Sequence, residues 1–175
     1  ARIRFDGLHV KLRAIGLLGA KRIPAQYQRA SIEQRRELLR GLLDTDGHCD
    51  ARGRVEIGLS NRALAEDVHE LVCGLGVKVA LHTKHLSAKR AEWNDSHRLQ
   101  FMCPFRAFNL PRKEARQHLE GHRSTTLRRF IVDVRPVESV PTRCIAVDSP
   151  TRTYLVGKAF VPTHNTDLGI GLALT

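Results

Sequence analysis

An α+β fold is predicted for this chain, in the order helix, two strands, helix, two strands, helix, followed by a short β-rich segment. Three observations predict it. Apolar residues recur at helical spacing over 31–46 and 61–75, they alternate with polar ones over 54–60, and turn residues separate the runs. Toward the C-terminus, Cys144-Ile-Ala-Val147 and Thr153-Tyr-Leu-Val156 are short β-rich runs.

Taken in order, Ser31 followed by Gln34 is a capping box, so a helix begins there. Leu38, Leu39, Leu42 and Leu43 recur along one apolar face, and Gly41 on that face lets a second helix approach closely. Gly47 to Ser60 reads as a hairpin with Arg52-Gly53 as its turn, in which Val55, Ile57 and Leu59 point inward and Arg54, Glu56 and Ser60 outward. Asn61 caps a helix with Leu64, Val68, Leu71, Val72 and Leu75 on one face, and Gly74 and Gly76 punctuate its end. Two strands follow, Val77 to Leu86 and His97 to Met102, joined by a charged loop. A basic helix opens at Asn109-Leu-Pro111 and runs to about Gly121.

The first helix ends at Asp44 and Asp46, where carboxylates face the negative pole of the helix dipole at a cost of about 0.3–1 kcal/mol each when exposed. Something should compensate, and a divalent cation held by oxygen ligands would do so. Asp46-Gly47 alone would be an ordinary turn dipeptide. The whole run Leu38-Leu-Arg-Gly-Leu-Leu-Asp-Thr-Asp-Gly47, however, resembles the LAGLIDADG signature of homing endonucleases, with Leu39, Gly41, Leu42, Asp44, Asp46 and Gly47 in register. The helix and strand order is also that of a LAGLIDADG half-domain, whose sheet lies in the DNA major groove. The resemblance implies a magnesium-dependent DNA endonuclease in which Asp46 is the metal-binding catalytic carboxylate and Asp44 is structural. It further implies a lysine that assists the metal-bound water, and Lys113 is the nearest match. Arg112 is a close rival, and Lys113 as a plain phosphate contact is the alternative.

Charge points the same way. The 29 Lys and Arg against 18 Asp and Glu give +11, more than solubility demands, and counterion release makes such a surface bind polyphosphate. Arg52, Arg54, Lys78, Lys84, Lys89, Arg90 and Arg98 fall on or between the predicted strands and, with Arg112, are the candidate contacts to double-stranded DNA. Any one of them alone is an ordinary surface charge; the set carries the argument.

A different chemistry is written near the end. His164-Asn165-Thr166 puts an imidazole, a side-chain amide and a hydroxyl in consecutive positions. The Asn165 amide nitrogen can attack its own main-chain carbonyl, closing a succinimide and expelling the next residue as an amine, while His164 protonates the departing nitrogen and Thr166 accepts an acyl group. Cys144-Ile-Ala-Val147 and Thr153-Tyr-Leu-Val156 are β-rich runs around the Asp148-Ser-Pro150 turn signal, and Gly157-Lys158 precedes a further run at Ala159-Phe-Val161, so two hairpins fit. From Pro141 to Thr166 the chain closely resembles the two C-terminal splicing blocks of inteins. That resemblance implies the all-β Hint fold, cleavage after Asn165, Thr166 as the first extein residue and a splice-junction role for Cys144, against the alternative of a small buried hydrophobe. Many inteins carry another histidine between the blocks; Ser149 to Thr153 contains none, so His164 must carry more of the proton traffic. Splicing itself calls for no cofactor.

Leu-Gly-Ala-Lys-Arg-Ile-Pro-Ala-Gln-Tyr27 resembles the basic segment joining the two LAGLIDADG halves of inteins, which implies a first half-domain and an N-terminal splicing half upstream. The expected organisation is 1–30 end of a preceding half-domain and connecting segment, 31–129 endonuclease half-domain, 130–165 splicing segment and 166–175 start of the C-extein. Inteins often interrupt the phosphate loop of ATPases before its hydroxyl residue, so a P-loop ATPase host would make Thr166 the magnesium-binding threonine of that loop. A free-standing dimeric homing endonuclease and a degenerate DNA-binding remnant are the alternatives. Cysteines 49, 73, 103 and 144 form no Cys-x-x-Cys pair or zinc spacing, which predicts a reducing, cytoplasmic setting, in a prokaryotic or phage-infected cell. No signal peptide or membrane-spanning run is evident.

Overall fold

The computed structural model describes residues 6–19, 21–85, 94–119, 128, 130–141 and 143–164. Within them lie α1 (Leu8–Ala14), α2 (Ala25–Gln28), α3 (Ile32–Asp46), β1 (Gly47–Cys49), β2 (Val55–Leu59), α4 (Arg62–Gly74), β3 (Val79–Lys84), β4 (Ser96–Phe101), α5 (Pro111–Glu114), β5 (Tyr154–Val156) and β6 (Val161–Thr163). The fold is α+β. Four strands form an antiparallel sheet in the order β1-β2-β4-β3, and β5 and β6 form a separate two-stranded hairpin.

Local chemistry starts both long helices. At α3 the Gln34 N–H donates to Ser31 Oγ at 3.2 Å, while Ser31 N–H donates to Gln34 Oε1 at 3.1 Å. At α4 the Leu64 N–H donates to Asn61 Oδ1 at 2.9 Å. Between them the β1–β2 turn is closed by Gly53 at φ 76°, where a β-carbon would also meet His118 at 2.9 Å.

Side chains alternate across the sheet. Cys49, Val55, Ile57, Leu99 and Phe101 are buried on one face, against Leu39 and Leu43 of α3 and Val68, Leu71 and Val72 of α4. Phe108, fully buried, joins this core from the stretch after β4. The leucine stripe of α3 divides: Leu39 and Leu43 are buried, Leu38 and Leu42 are only half-buried, and Gly41 is exposed with nothing within 4 Å of where its β-carbon would be. Four leucines at this spacing span more of the helix circumference than one packing surface covers. Gly41 therefore faces away from the core, and the second helix it was read as admitting is not one from the described residues.

The connecting segment is held by an interaction with no local sequence signal. Asp67, on α4 and 7% exposed, accepts from Arg22 Nε at 2.6 Å, from Arg22 Nη2 at 2.8 Å and from Ile23 N–H at 2.9 Å. Gln28 Nε2 donates to the Asp67 carbonyl at 2.7 Å, so both ends of the segment are pinned to one residue.

Two predicted elements differ. The last helix stops at Glu114, because Gln117 turns inward to donate from Nε2 to the Phe105 carbonyl at 2.6 Å and to accept from Ala107 N–H at 2.9 Å. The segment also has no apolar stripe to hold a longer helix against the core. Of the two C-terminal hairpins only β5–β6 forms, with Tyr154 opposite Thr163 and Val156 opposite Val161. Cys144 to Val147 has no paired strand among the described residues, and Ile131, Val132, Val134 and Val137 before it are more than four-fifths exposed. A run of strand composition becomes a strand only where a second strand pairs with its main chain.

The β5–β6 hairpin leans on α4. Lys158 Nζ pairs with Glu66 Oε2 at 3.5 Å, and the Phe160 ring lies against Gly74, where an added β-carbon would be 3.5 Å from it. Arg29 covers the same ring at 5.9 Å. Among the described residues no helix is long and apolar enough to cross a membrane.

Candidate endonuclease and splicing sites

Two regions gather the predicted functional residues, and the first is the C-terminal end of α3. The chain turns sharply into β1 at Gly47, where a β-carbon would lie 2.6 Å from the Leu43 carbonyl oxygen, so only glycine fits without displacement. Asp44 is occupied: its carboxylate accepts from Asn109 N–H at 3.1 Å and from Leu110 N–H at 3.2 Å, tying the helix end to the approach to α5. Asp46 is exposed, and among the described residues its carboxylate has no hydrogen-bond or ion-pair partner.

Lys113 supplies the compensation that the helix end requires. Its ammonium donates to the carbonyls of Leu43 at 2.8 Å, Asp44 at 2.8 Å and Gly47 at 2.6 Å, and lies 5.8 Å from the centre of the Phe108 ring. An ammonium has three hydrogens, and all three have carbonyl acceptors. A cation is thus already present at the negative pole of α3, and it belongs to the protein. Lys113 in this geometry caps the signature helix and has no hydrogen left for a water. Arg112 beside it is exposed.

Among the described residues no three His, Cys, Asp or Glu side chains converge to hold a metal. Asp46 still suits magnesium, which typically takes one or two protein carboxylates and completes its shell with waters and substrate phosphates.

The outer face of the sheet is open and concave. Its outward positions include His48, Glu56, His82, Lys84, Ser96, Arg98 and Gln100, by the register that pairs Glu56 with Gln100 and His82 with Arg98. Two adjoining grooves of about 400 and 360 Å³ run over it, and His82 and Gln100 line both. Of the predicted DNA contacts, Lys84 and Arg98 lie on this face, Arg54 and Lys78 border it, and Arg52 is exposed in the β1–β2 turn. Arg54 is paired with Asp50 at 3.2 Å, and Lys78 donates to the Arg128 carbonyl at 2.8 Å. Lys89 and Arg90 lie outside the described residues. Counting only cations overlooks Glu56, His82 and Gln100; the period-2 alternation of β2, β3 and β4 was the signal that would have placed them on the same face.

The Asp50 carboxyl is held below its usual range, chiefly by Arg54 N–H and also by Arg52 N–H and the Arg54 side chain. Burial pushes the Cys103 thiol up to about 11 and the Cys49 thiol upward as well. Neither thiol is a nucleophile at neutral pH.

The second region is the C-terminal segment. Cys144 is the exposed cysteine of the four, so the reading of it as a buried hydrophobe fails. His164 follows β6 directly and is exposed. Asn165 and Thr166 lie outside the described residues.

A family model for LAGLIDADG-like domains matches residues 33–131. A replicative DNA helicase DnaB of Mycobacterium intracellulare is 44% identical over 165 residues, covering 93% of this chain and 29% of the helicase. A replicative DNA helicase DnaB of Mycobacterium leprae (strain TN) is 52% identical over 40 residues, 23% of this chain and 7% of that protein. The chain thus spans less than a third of the length of either relative. The similarity to the first extends well past residue 131, which is consistent with an intein embedded in a helicase.

Proposed function

The chain belongs to the LAGLIDADG-like family, and we propose that it is the C-terminal part of an intein, joining a homing-endonuclease half-domain to a self-cleaving segment that ends at Asn165. The observation that carries this reading is the joint occurrence of the family match at 33–131 and the His164-Asn165-Thr166 run behind a β-hairpin. The proposed division is a connecting segment to residue 30, the half-domain to 129, the splicing segment to 165 and host sequence from 166, within an ATPase of the DnaB helicase type in the cytoplasm.

In the splicing segment, β6 leads straight into His164 and so holds the imidazole at the start of the scissile region. The Asn165 side-chain nitrogen attacks the Asn165 carbonyl carbon, the bond to the Thr166 nitrogen breaks, and the His164 imidazole delivers the proton that the new amine needs. Thr166 Oγ1 takes the acyl group of the upstream host segment from the cysteine or serine that holds it as a thioester or ester at the first junction, whose sulfur or oxygen leaves and picks up the proton that Thr166 gives up, and Cys144 acts at the junction.

In the half-domain, the open sheet face binds double-stranded DNA through Lys84, Arg98 and their basic neighbours. Asp46 would hold a magnesium ion, which would supply activation of the water and polarisation of the phosphate. Asp44 and Lys113 fix the backbone that carries Asp46. Exposed Gly41 leaves room for the signature helix of a second half-domain, needed for cutting both strands.

Incubation at neutral pH followed by mass spectrometry tests the reading. The chain should slowly lose the ten residues 166–175, and Asn165→Ala should retain them. Tail loss that persists in Asn165→Ala would sink the assignment.

A further inference from the structure

An acidic side chain sits in the middle of the basic sheet face. Glu56 projects outward from β2, its side chain 29% exposed, and is engaged by two side chains of β4, one through an ion pair and one through a hydrogen bond. Arg98 Nε lies 3.0 Å from Glu56 Oε1, and Gln100 Nε2 donates to Glu56 Oε2 at 2.6 Å. Directly across from Arg98 on β2 stands Gly58, which has no side chain to support the guanidinium. Glu56 reaches Arg98 diagonally and takes that place.

The arrangement costs phosphate affinity, because a carboxylate repels the backbone and cancels one cation of the face. Its effect on base reading is the opposite. An arginine free in solvent contacts phosphates in many orientations, whereas one whose Nε is held by a carboxylate has its fork fixed in one plane. With Nε turned toward the carboxylate in this ion pair, the terminal nitrogens of Arg98 form the edge that remains, and among the described residues they have no partner. Two N–H groups on one edge match the O6 and N7 acceptors of guanine in the major groove.

We propose that Glu56 is a specificity-determining positioning residue: it holds Arg98 so that the guanidinium reads one guanine of a DNA site instead of binding phosphates at large. This rests on the reading of the sheet face as a DNA-binding surface.

Selection from a randomised duplex library by the full chain, combined with salt titrations on the enriched and on random duplex, tests it. Wild type should enrich a consensus with at least one strongly preferred G·C pair. Glu56→Ala should lower preference at that one pair about tenfold, leave the other positions unchanged, bind random duplex more tightly and steepen the salt dependence by about one counterion. Arg98→Ala should lose the same pair, and the double variant should lose no more than either single variant does. Glu56→Gln, which keeps an acceptor but not the charge, should fall between and supplies the result if the alanine variant does not fold. Identical consensus sequences from wild type and the folded Glu56 variant would overturn the proposal, as would a wild type that binds with salt dependence but enriches no sequence. A wild type that binds no duplex even at low salt would instead overturn the DNA-binding reading beneath it.

Discussion

Lys113 reaches Gly47 from 66 residues downstream, its ammonium 2.6 Å from the glycine carbonyl and also bonded to the carbonyls of Leu43 and Asp44. The end of the signature helix is thereby closed by a charged side chain from another element. Lys113→Met keeps a side chain of similar length but removes the charge and its bonds to three carbonyls, of which the Leu43 carbonyl keeps the Gly47 N–H. The substitution should destabilise the fold by about 2–3 kcal/mol in urea titrations. Arginine should restore little, since a planar fork cannot converge on three carbonyls around one point. An unchanged urea midpoint for Lys113→Met would mean that the cap contributes nothing.

The connecting segment should depend on Asp67 in a similar way. Asp67→Ala removes the acceptor of Ile23 N–H and both Arg22 contacts. Arg22 is more than half exposed, which discounts its share, so the loss should be about 1–3 kcal/mol. Proteolysis of the native protein should then begin between residues 21 and 30, and a cleavage pattern identical to wild type would count against the clamp.

These two contacts mark what sequence reading can reach. Ser31 with Gln34 and Asn61 announce their helices because a cap is made within one turn of chain. Gly47 and Gly53 are readable as turns for the same reason. Lys113 is not readable as a cap, because its acceptors lie 66 to 70 residues away and any lysine near the end of a domain looks alike on the page. Leu38 and Leu42 look as fully buried as their neighbours until the packing of α3 shows that only Leu39 and Leu43 are enclosed, with Leu38 and Leu42 packed at the margin of the core. Cys144 to Val147 has strand composition and is not part of a strand in the described residues, so composition there foretells propensity and not pairing. Glu56 was legible as an outward position of β2 but not as the group that holds Arg98, a relation that only the β2–β4 register creates.

Thiol chemistry separates the cysteines. Cys49, Cys73 and Cys103 are buried, with the Cys103 thiol raised to about 11, while Cys144 is exposed. The native protein should therefore give one fast-reacting thiol with Ellman's reagent at neutral pH, lost in Cys144→Ser, and four after unfolding. Two fast thiols in the native state would contradict the burial pattern.

Acid stability should report Asp50. Its folded carboxyl lies below the unfolded value of about 3.9, so the stabilisation is present above that value and is lost as pH falls through the folded one. Asp50→Asn should melt lower than wild type at pH 7 and approach it toward pH 2, because protonation removes from wild type what the substitution has already taken away. A gap between the two that does not narrow on acidification would show that the carboxylate charge is not what orders the turn.

Asp46 should behave unlike its neighbours at the same helix end. It is exposed and has no partner among the described residues, whereas Asp44 accepts from Asn109 and Leu110. Asp46→Asn should leave stability unchanged or raise it by about 0.3–1 kcal/mol, because it relieves a carboxylate at the negative pole of α3. Asp44→Ala should lower it by about 1–3 kcal/mol, since two main-chain N–H groups lose their acceptor. In an assembly with a complementing first half-domain, Asp46→Asn should abolish cutting of at least one DNA strand in magnesium while binding stays within about twofold. Removing a metal ligand takes no cation from the sheet face, so binding and chemistry separate. Plasmid nicking and gel-shift measurements on both proteins give the comparison, and undiminished cleavage of both strands by Asp46→Asn would refute the catalytic role assigned to that carboxylate.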